Sequence, residues 1–183
     1  MYSSSRQIGI TLRKAAQTAI FTKSKTVGLE HLAFALIQPG TNASSILASS
    51  GVNVERLISA IAGILFVGPH DELTRHWRNE GVRAFQRADF GATEEEALER
   101  FRNPVNDVPE GFGGPSELVL RVLEKARQIK ARFNPERQGS TAYIFLSLLS
   151  ETSRTELEQI LIANVSVSTF EQALMGYCGA WEE

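Results

Sequence analysis

Three histidines, His31, His70 and His76, and one cysteine, Cys178, are the residues best equipped to act as base, nucleophile or soft metal ligand. His70 and His76 stand six apart. That is not the i, i+4 spacing that sets two imidazoles side by side on a helix for zinc, and one thiol is too few to complete a site. Cys178 has no histidine near it in sequence, and His31 would reach it only through the fold. It therefore reads as a plain apolar or exposed thiol. No segment matches Gly, four residues, then Gly-Lys-Ser/Thr, which excludes ATP hydrolysis by that route. There is no Gly-x-Ser-x-Gly elbow, and no serine has a lysine three positions on. Gly111-Phe112-Gly113-Gly114-Pro115 looks like a phosphate-binding loop, but such a loop needs a strand before it. The preceding Asn103 to Glu110 holds Pro104 and Pro109 and reads as loop, so the glycines read as a flexible linker. No nucleophile–base pair and no ligand cluster emerges. The expectation is a protein that is not an enzyme and carries no cofactor or metal.

Composition narrows the remaining classes. A chain of 183 residues suits one domain or two small packed halves. At 43% hydrophobic and 22% charged residues it has the make-up of an ordinary folded protein. The net charge of −2 disfavours phosphate-driven binding to nucleic acid. The arginines Arg75, Arg78, Arg83 and Arg87 are interleaved with Glu80 and Asp89, which reads as a mixed solvated face. A lone cysteine cannot form an internal disulfide and points to a reducing compartment. Met1 to Phe21 has no signal-type apolar stretch, and the longest apolar run is Ala60 to Val67, far short of a membrane span. A soluble protein of the cytoplasm is expected, or of an organelle stroma or matrix if a transit peptide has been removed.

The elements that must position these residues are helical. Ile8, Leu12, Ala15, Ala16, Ala19 and Ile20 recur at spacings of three and four, after a possible Ser4/Gln7 capping box. Leu29, Leu32, Ala33, Leu36 and Ile37 form a second helix stopped by Pro39-Gly40. Asn42 is placed as the cap of a third, with Ile46 and Leu47 inward and Gly51 just past its end. Asn53 caps a fourth carrying Leu57, Ile58, Ile61 and Leu65, ended by Gly68-Pro69. Ser116 precedes a helix with Leu118, Val122, Leu123, Ala126 and Ile129 on one face, broken at Asn134-Pro135. A short helix holds Ile144, Phe145, Leu148 and Leu149. Capping boxes at Ser153/Glu156 and Ser168/Glu171 open two more, the last with Phe170, Leu174 and Met175 inward. Only Asn164 to Ser168 alternates at period two, too briefly to need a strand. The fold class is all-α.

The two halves match in order. His31 to Ile37 lies against Tyr143 to Leu149. Ile46-Leu47, Gly51-Val52 and Leu57 lie against Ile160-Leu161, Asn164-Val165 and Phe170, with one residue dropped. Two four-helix units related by a pseudo-twofold are expected, each with a small core that pairing enlarges.

These residues resemble the N-terminal domain of Clp-type AAA+ unfoldases such as ClpA, ClpB and ClpC, built from two Clp repeats. Ala15, Ala19, Val27, Glu30-His31-Leu32, Leu36-Ile37, Ile46-Leu47 and Gly51-Val52 fit the family pattern at its spacings. The resemblance assigns repeat one to residues 4–66 and repeat two to 116–176, with a helical insertion at 67–115 and a tail at 177–183. The insertion holds a helix from about Asp71, with Leu73, Trp77, Ala84, Phe85 and Ala88 at helical spacing. A second follows the Thr93-Glu94-Glu95-Glu96 capping box and carries Leu98 and Phe101. Repeat two departs from the pattern at Ala142-Tyr143, where Glu-His is usual, and at Gly139.

The resemblance implies non-enzymatic work in protein quality control and the regulation of proteolysis. The domain would dock adaptors, substrate segments or a Clp ATPase or protease complex. It would be either a free-standing accessory factor or the docking domain of a longer AAA+ chaperone. A small helical nucleic-acid-binding regulator is the rival from another class, with the acidic balance against it. In ClpC-like members the glutamate of the Glu-His motif receives a guanidinium group, with a hydroxyl nearby. Glu30 and Ser5 match those positions, and a carboxylate suits a planar two-donor fork. Glu30 reads equally as a first-turn acid stabilising its own helix. One charged contact contributes about 1.5–3 kcal/mol, less than the roughly 4 kcal/mol of millimolar binding. Ala142 removes the second acidic site, and with it any two-site avidity. His31 reads as a packing or capping residue. Trp77, Phe85, Phe90 and Phe101 either anchor a partner or pack the inserted helices onto the body.

Overall fold

The computed structural model describes residues 4–65, 93–103, 110–133, 141–151 and 155–179. The helix expected from about Asp71, with Trp77 and Phe85, lies outside the described residues, as do the stops at Gly68-Pro69 and Asn134-Pro135. Among the described residues every regular element is an α-helix. They are α1 (Ser4–Phe21), α2 (Leu29–Leu36), α3 (Asn42–Ser49), α4 (Val54–Leu65), α5 (Glu94–Arg102), α6 (Glu117–Phe133), α7 (Thr141–Leu149), α8 (Glu156–Asn164) and α9 (Val167–Gly179). The all-α expectation holds. The only extended pairing among the described residues is an isolated bridge between Val27 and Pro115. There Val27 N–H donates to the Gly114 carbonyl at 2.8 Å and Ser116 N–H to the Val27 carbonyl at 3.0 Å. The approaches to α2 and α6 are thereby tied together.

Two helices lie at the centre. Every residue of α2 except Glu30 is buried, and α7 is buried from Thr141 to Leu148. A helix apolar on all faces must be enclosed by others. α2 packs against α1, α4, α6 and α7, while α7 packs against α1, α2, α3, α6 and α9. Phe34, Phe145 and Phe170 are the largest fully enclosed side chains. The Phe145 and Phe170 rings meet edge to face, 5.2 Å between centroids, in the geometry their quadrupoles favour.

The outer helices are amphipathic, and their stops and starts follow local chemistry. α3 ends in a left-handed glycine, Gly51 at φ +86°. Val52 N–H donates to the Leu47 carbonyl at 3.0 Å and Gly51 N–H to the Ala48 carbonyl at 3.1 Å, the double bond of a Schellman turn. α1 ends in the same way but with Lys23 at φ +57°. Asn53 caps α4 as expected, accepting from Arg56 N–H at 3.0 Å. Thr93 caps α5, accepting from Glu96 N–H at 3.2 Å.

Several register details differ from expectation. Thr41, not Asn42, caps α3: its backbone is extended, and its hydroxyl accepts from Ser44 N–H at 3.1 Å. Asn42 is already helical, and its amide oxygen accepts from the Tyr177 hydroxyl at 3.3 Å. α8 opens at Thr155, two residues beyond Ser153, because Thr155 adopts the extended cap geometry with Glu158 three residues on. α9 opens at Ser166, whose carbonyl takes the first helical bond from Phe170 N–H at 2.9 Å. Ser168 thus falls within its first turn. On α6 the buried stripe is Val119, Val122, Leu123 and Ala126. Leu118 falls off that stripe and is exposed, as is Met175 beside buried Leu174.

The described part of the 67–115 segment packs onto the body. α5 lies along α1, with Ala97 and Phe101 buried. Lys130 of α6 pairs with Glu94 of α5 at 3.2 Å. Phe101, 7% exposed, belongs to the continuous core. Truncating a buried phenylalanine costs about 3–5 kcal/mol in a core. Phe101→Ala should therefore lower unfolding free energy in urea by about 3 kcal/mol. A loss below about 0.5 kcal/mol, the scale of surface substitutions, would show α5 to be a detachable appendage.

Candidate functional site

The Glu30-His31 pair stands at the start of α2. Gly28 is the N-cap, with extended backbone at φ −90° and ψ 176°. Having no side chain, it cannot satisfy the free amides of the first turn. The reverse half of a capping box is present instead: Gly28 N–H donates to His31 Nδ1 at 2.9 Å. That bond assigns the tautomer. Nδ1 accepts, so the proton sits on Nε2 and is donated to Thr22 Oγ1 at 3.2 Å. The Thr22 hydroxyl in turn donates a hydrogen bond to the Thr18 carbonyl at 2.9 Å. His31 thus rivets the end of α1 to the beginning of α2. It is 3% exposed.

This geometry engages both ring nitrogens of His31 in joining α1 to α2. Burial pushes its pKa below the ordinary value, while the Glu30 carboxylate pulls the other way and loses. Glu30 Oε1 lies 3.5 Å from His31 Nδ1. Because Nδ1 accepts from Gly28, that approach is not an ion pair between opposite charges.

Glu30 folds back over Gly28. Its carboxylate occupies the space where a Cβ on residue 28 would stand. A carboxylate over the first turn is favourably placed in the field of the helix N-terminus. The side chain still keeps 40% of its surface exposed. It is both a helix-stabilising acid and an accessible acceptor. Ser5 lies on the first turn of α1, and its side chain is outside the description. Ala142 and Tyr143, expected at the equivalent place of a second repeat, are both buried in α7.

A shallow apolar cleft of about 160 Å³ opens beside Tyr143, between Phe133, Leu146, Glu171, Leu174 and Met175. Thr22 and Gly28, the two partners that fix His31, carry no local sequence signal. A threonine nine residues before a histidine becomes informative only once α1 turns back on α2. No group of three or more acidic, histidine or cysteine side chains that could hold a metal ion occurs among the described residues. No helix among them is long and apolar enough to cross a membrane.

The neutral imidazole makes stability depend on pH in a fixed sense. His31 has a folded pKa below its ordinary 6.5, so the unfolded chain binds the proton more readily. Its contribution is complete above pH 6.5 and is lost as pH falls from there through the lowered folded value. His31→Gln should therefore cost more stability at pH 7.5 than at pH 5.5, measured by urea unfolding of both proteins. An equal cost at the two pH values would contradict the assigned tautomer and burial.

No curated protein matches the chain. The family model for the Clp repeat (R) N-terminal domain matches residues 3–97, more than half of the sequence. It spans α1 to α4, the Glu30-His31 pair and the beginning of α5. On that match the chain belongs to the Clp repeat N-terminal domain family.

Proposed function

We propose that this chain works as a protein-docking module of Clp-linked protein quality control. It receives an adaptor, a substrate segment or a Clp ATPase or protease complex and performs no chemistry on it. The observation that carries this reading is the family membership over residues 3–97, a domain type that is helical and non-catalytic. The engagement of both His31 nitrogens in structure supports it.

We also propose two four-helix repeats, 4–66 and 116–176, joined by the inserted 67–115 segment. The packing partners support this arrangement. α1 packs on α2 as α6 packs on α7, and α2 on α4 as α7 on α9. Across the halves, α4 meets α8 while α3 meets α9, and α1 meets α7 while α2 meets α6.

Within this reading Glu30 is the acceptor for a cationic group on the partner, most simply a guanidinium. Loss of its helix-dipole role costs about 0.3–1 kcal/mol of stability. Glu30→Ala should therefore leave the melting transition nearly unchanged while weakening partner binding several-fold. Unchanged affinity for each identified partner would reduce Glu30 to its helix-stabilising role.

The direct experiment is immunoprecipitation of the native protein from its source cells, with mass spectrometry of what is retained. Recovery beside Clp ATPase or protease subunits identifies an accessory factor. Recovery as part of one larger polypeptide with ATPase peptides identifies a docking domain. Retained proteins that include no Clp component would overturn the Clp link.

A further inference from the structure

The two sides of the central helix pair are closed differently. On one side α3 packs against α7, and Ala43 N–H donates to Thr141 Oγ1 at 3.2 Å. On the other side, a cleft of about 200 Å³ lies between Leu29 at the start of α2, the end of α7, one face of α8 and the start of α9. Leu148, Leu157 and Leu161 form part of its wall, and Ile162 and Val167 stand at its edge, 72% and 42% exposed. An isoleucine left so open beside an apolar cleft is a place where a further side chain gains by burial.

The polar part of the lining is acidic. Glu151 and Glu158 are its two ionisable members, and no basic side chain lines it among the described residues. Glu151 is 14% exposed and is held by Arg121 of α6 at 3.5 Å. Glu158 sits in the first turn of α8, where the helix field favours its charge. With Glu151 engaged by Arg121, the Glu158 carboxylate beside these apolar walls favours an apolar anchor that carries a positive charge next to it. The cleft volume of about 200 Å³ is on the scale of one large aliphatic or aromatic side chain.

We propose that this cleft is a peptide-docking site for a partner segment in which one Leu-, Ile- or Phe-type anchor is flanked by Lys or Arg. The proposal rests on the protein-docking reading above and adds a place and a chemistry to it. The anchor enters between Leu29, Leu157 and Leu161. The flanking cation meets Glu158. Ile162 and Val167 cover the anchor from the solvent side.

The test uses the full chain as bait for a random peptide display library, with Ile162→Asp and Glu158→Lys as comparison baits. Both residues are at the surface, and matched melting curves confirm that each variant is folded. The expected result is enrichment of peptides with an apolar anchor next to a basic residue. Their retention should fall at least tenfold on Ile162→Asp, and Glu158→Lys should shift selection away from basic neighbours. Peptides without a basic neighbour, retention unaffected by both variants, or no enrichment at all would each overturn the proposal. So would concentration-dependent dimerisation in sedimentation that Ile162→Asp abolishes, since the occupant would then be a second copy. If cellular partners are still retained equally by Ile162→Asp, the docking function stands and this site falls. If the wild type retains neither peptides nor cellular partners, both fall.

Discussion

Helices α2 and α7 carry apolar side chains on nearly every face, so neither can meet water without forfeiting much of what folding gains. Each buried Leu, Ile or Phe contributes about 1.5–3 kcal/mol relative to exposure, and these two short helices hold two of the three fully enclosed phenylalanines, Phe34 and Phe145. The other helices are shaped by the need to cover them. α1 and α6 each lie along one central helix, and α3, α4 and α9 close the remaining sides. Neither α2 nor α7 reaches the length at which a helix is stable alone, so their existence depends on being enclosed.

Enclosure creates a second demand, because the polar groups carried into the centre must be paired. Thr141 accepts from Ala43 N–H, Ser147 donates to the Val122 carbonyl at 2.7 Å, and Gln38 donates to the Phe34 carbonyl at 2.8 Å. His31 answers the same demand at the entry to α2, where Gly28 offers no capping side chain. Its neutral imidazole joins two helices through one acceptor and one donor. Among the described residues Gln7 Oε1 is the buried side-chain atom left without a partner. The Glu-His pair therefore divides its labour: the imidazole belongs to the core, and the carboxylate, folded over Gly28 yet accessible, belongs to the surface.

Much of this was legible in the sequence, for reasons that identify what was not. The 3.6-residue period gave α1 to α4 directly, and Asn53, Gly51 and Thr93 act locally, within a turn of the helix end they define. The caps at Thr41, Thr155 and Ser166 were misplaced by one or two residues because neighbouring Asn, Ser and Thr residues offer competing oxygens. Backbone geometry, not residue type, decides among them. Leu118 and Met175 look inward on composition alone. Their exposure follows from helix phase, which is fixed by what α6 and α9 pack against. The Glu30-His31 pair was visible, but the bond from His31 to Thr22 depends on α1 turning back at Lys23, a left-handed turn without a glycine to announce it. The acidic cleft was invisible for the same reason, since its walls come from four helices.

If α2 and α7 form one shared centre, they must be lost together. Native-state hydrogen exchange along a denaturant series tests this directly. The slowest amides should lie in both helices and should open with one common free energy equal to that of global unfolding. Exchange of α7 through a separate, lower-energy opening while α2 stays protected would contradict the account. It would show two independently stable halves in contact, with no single core.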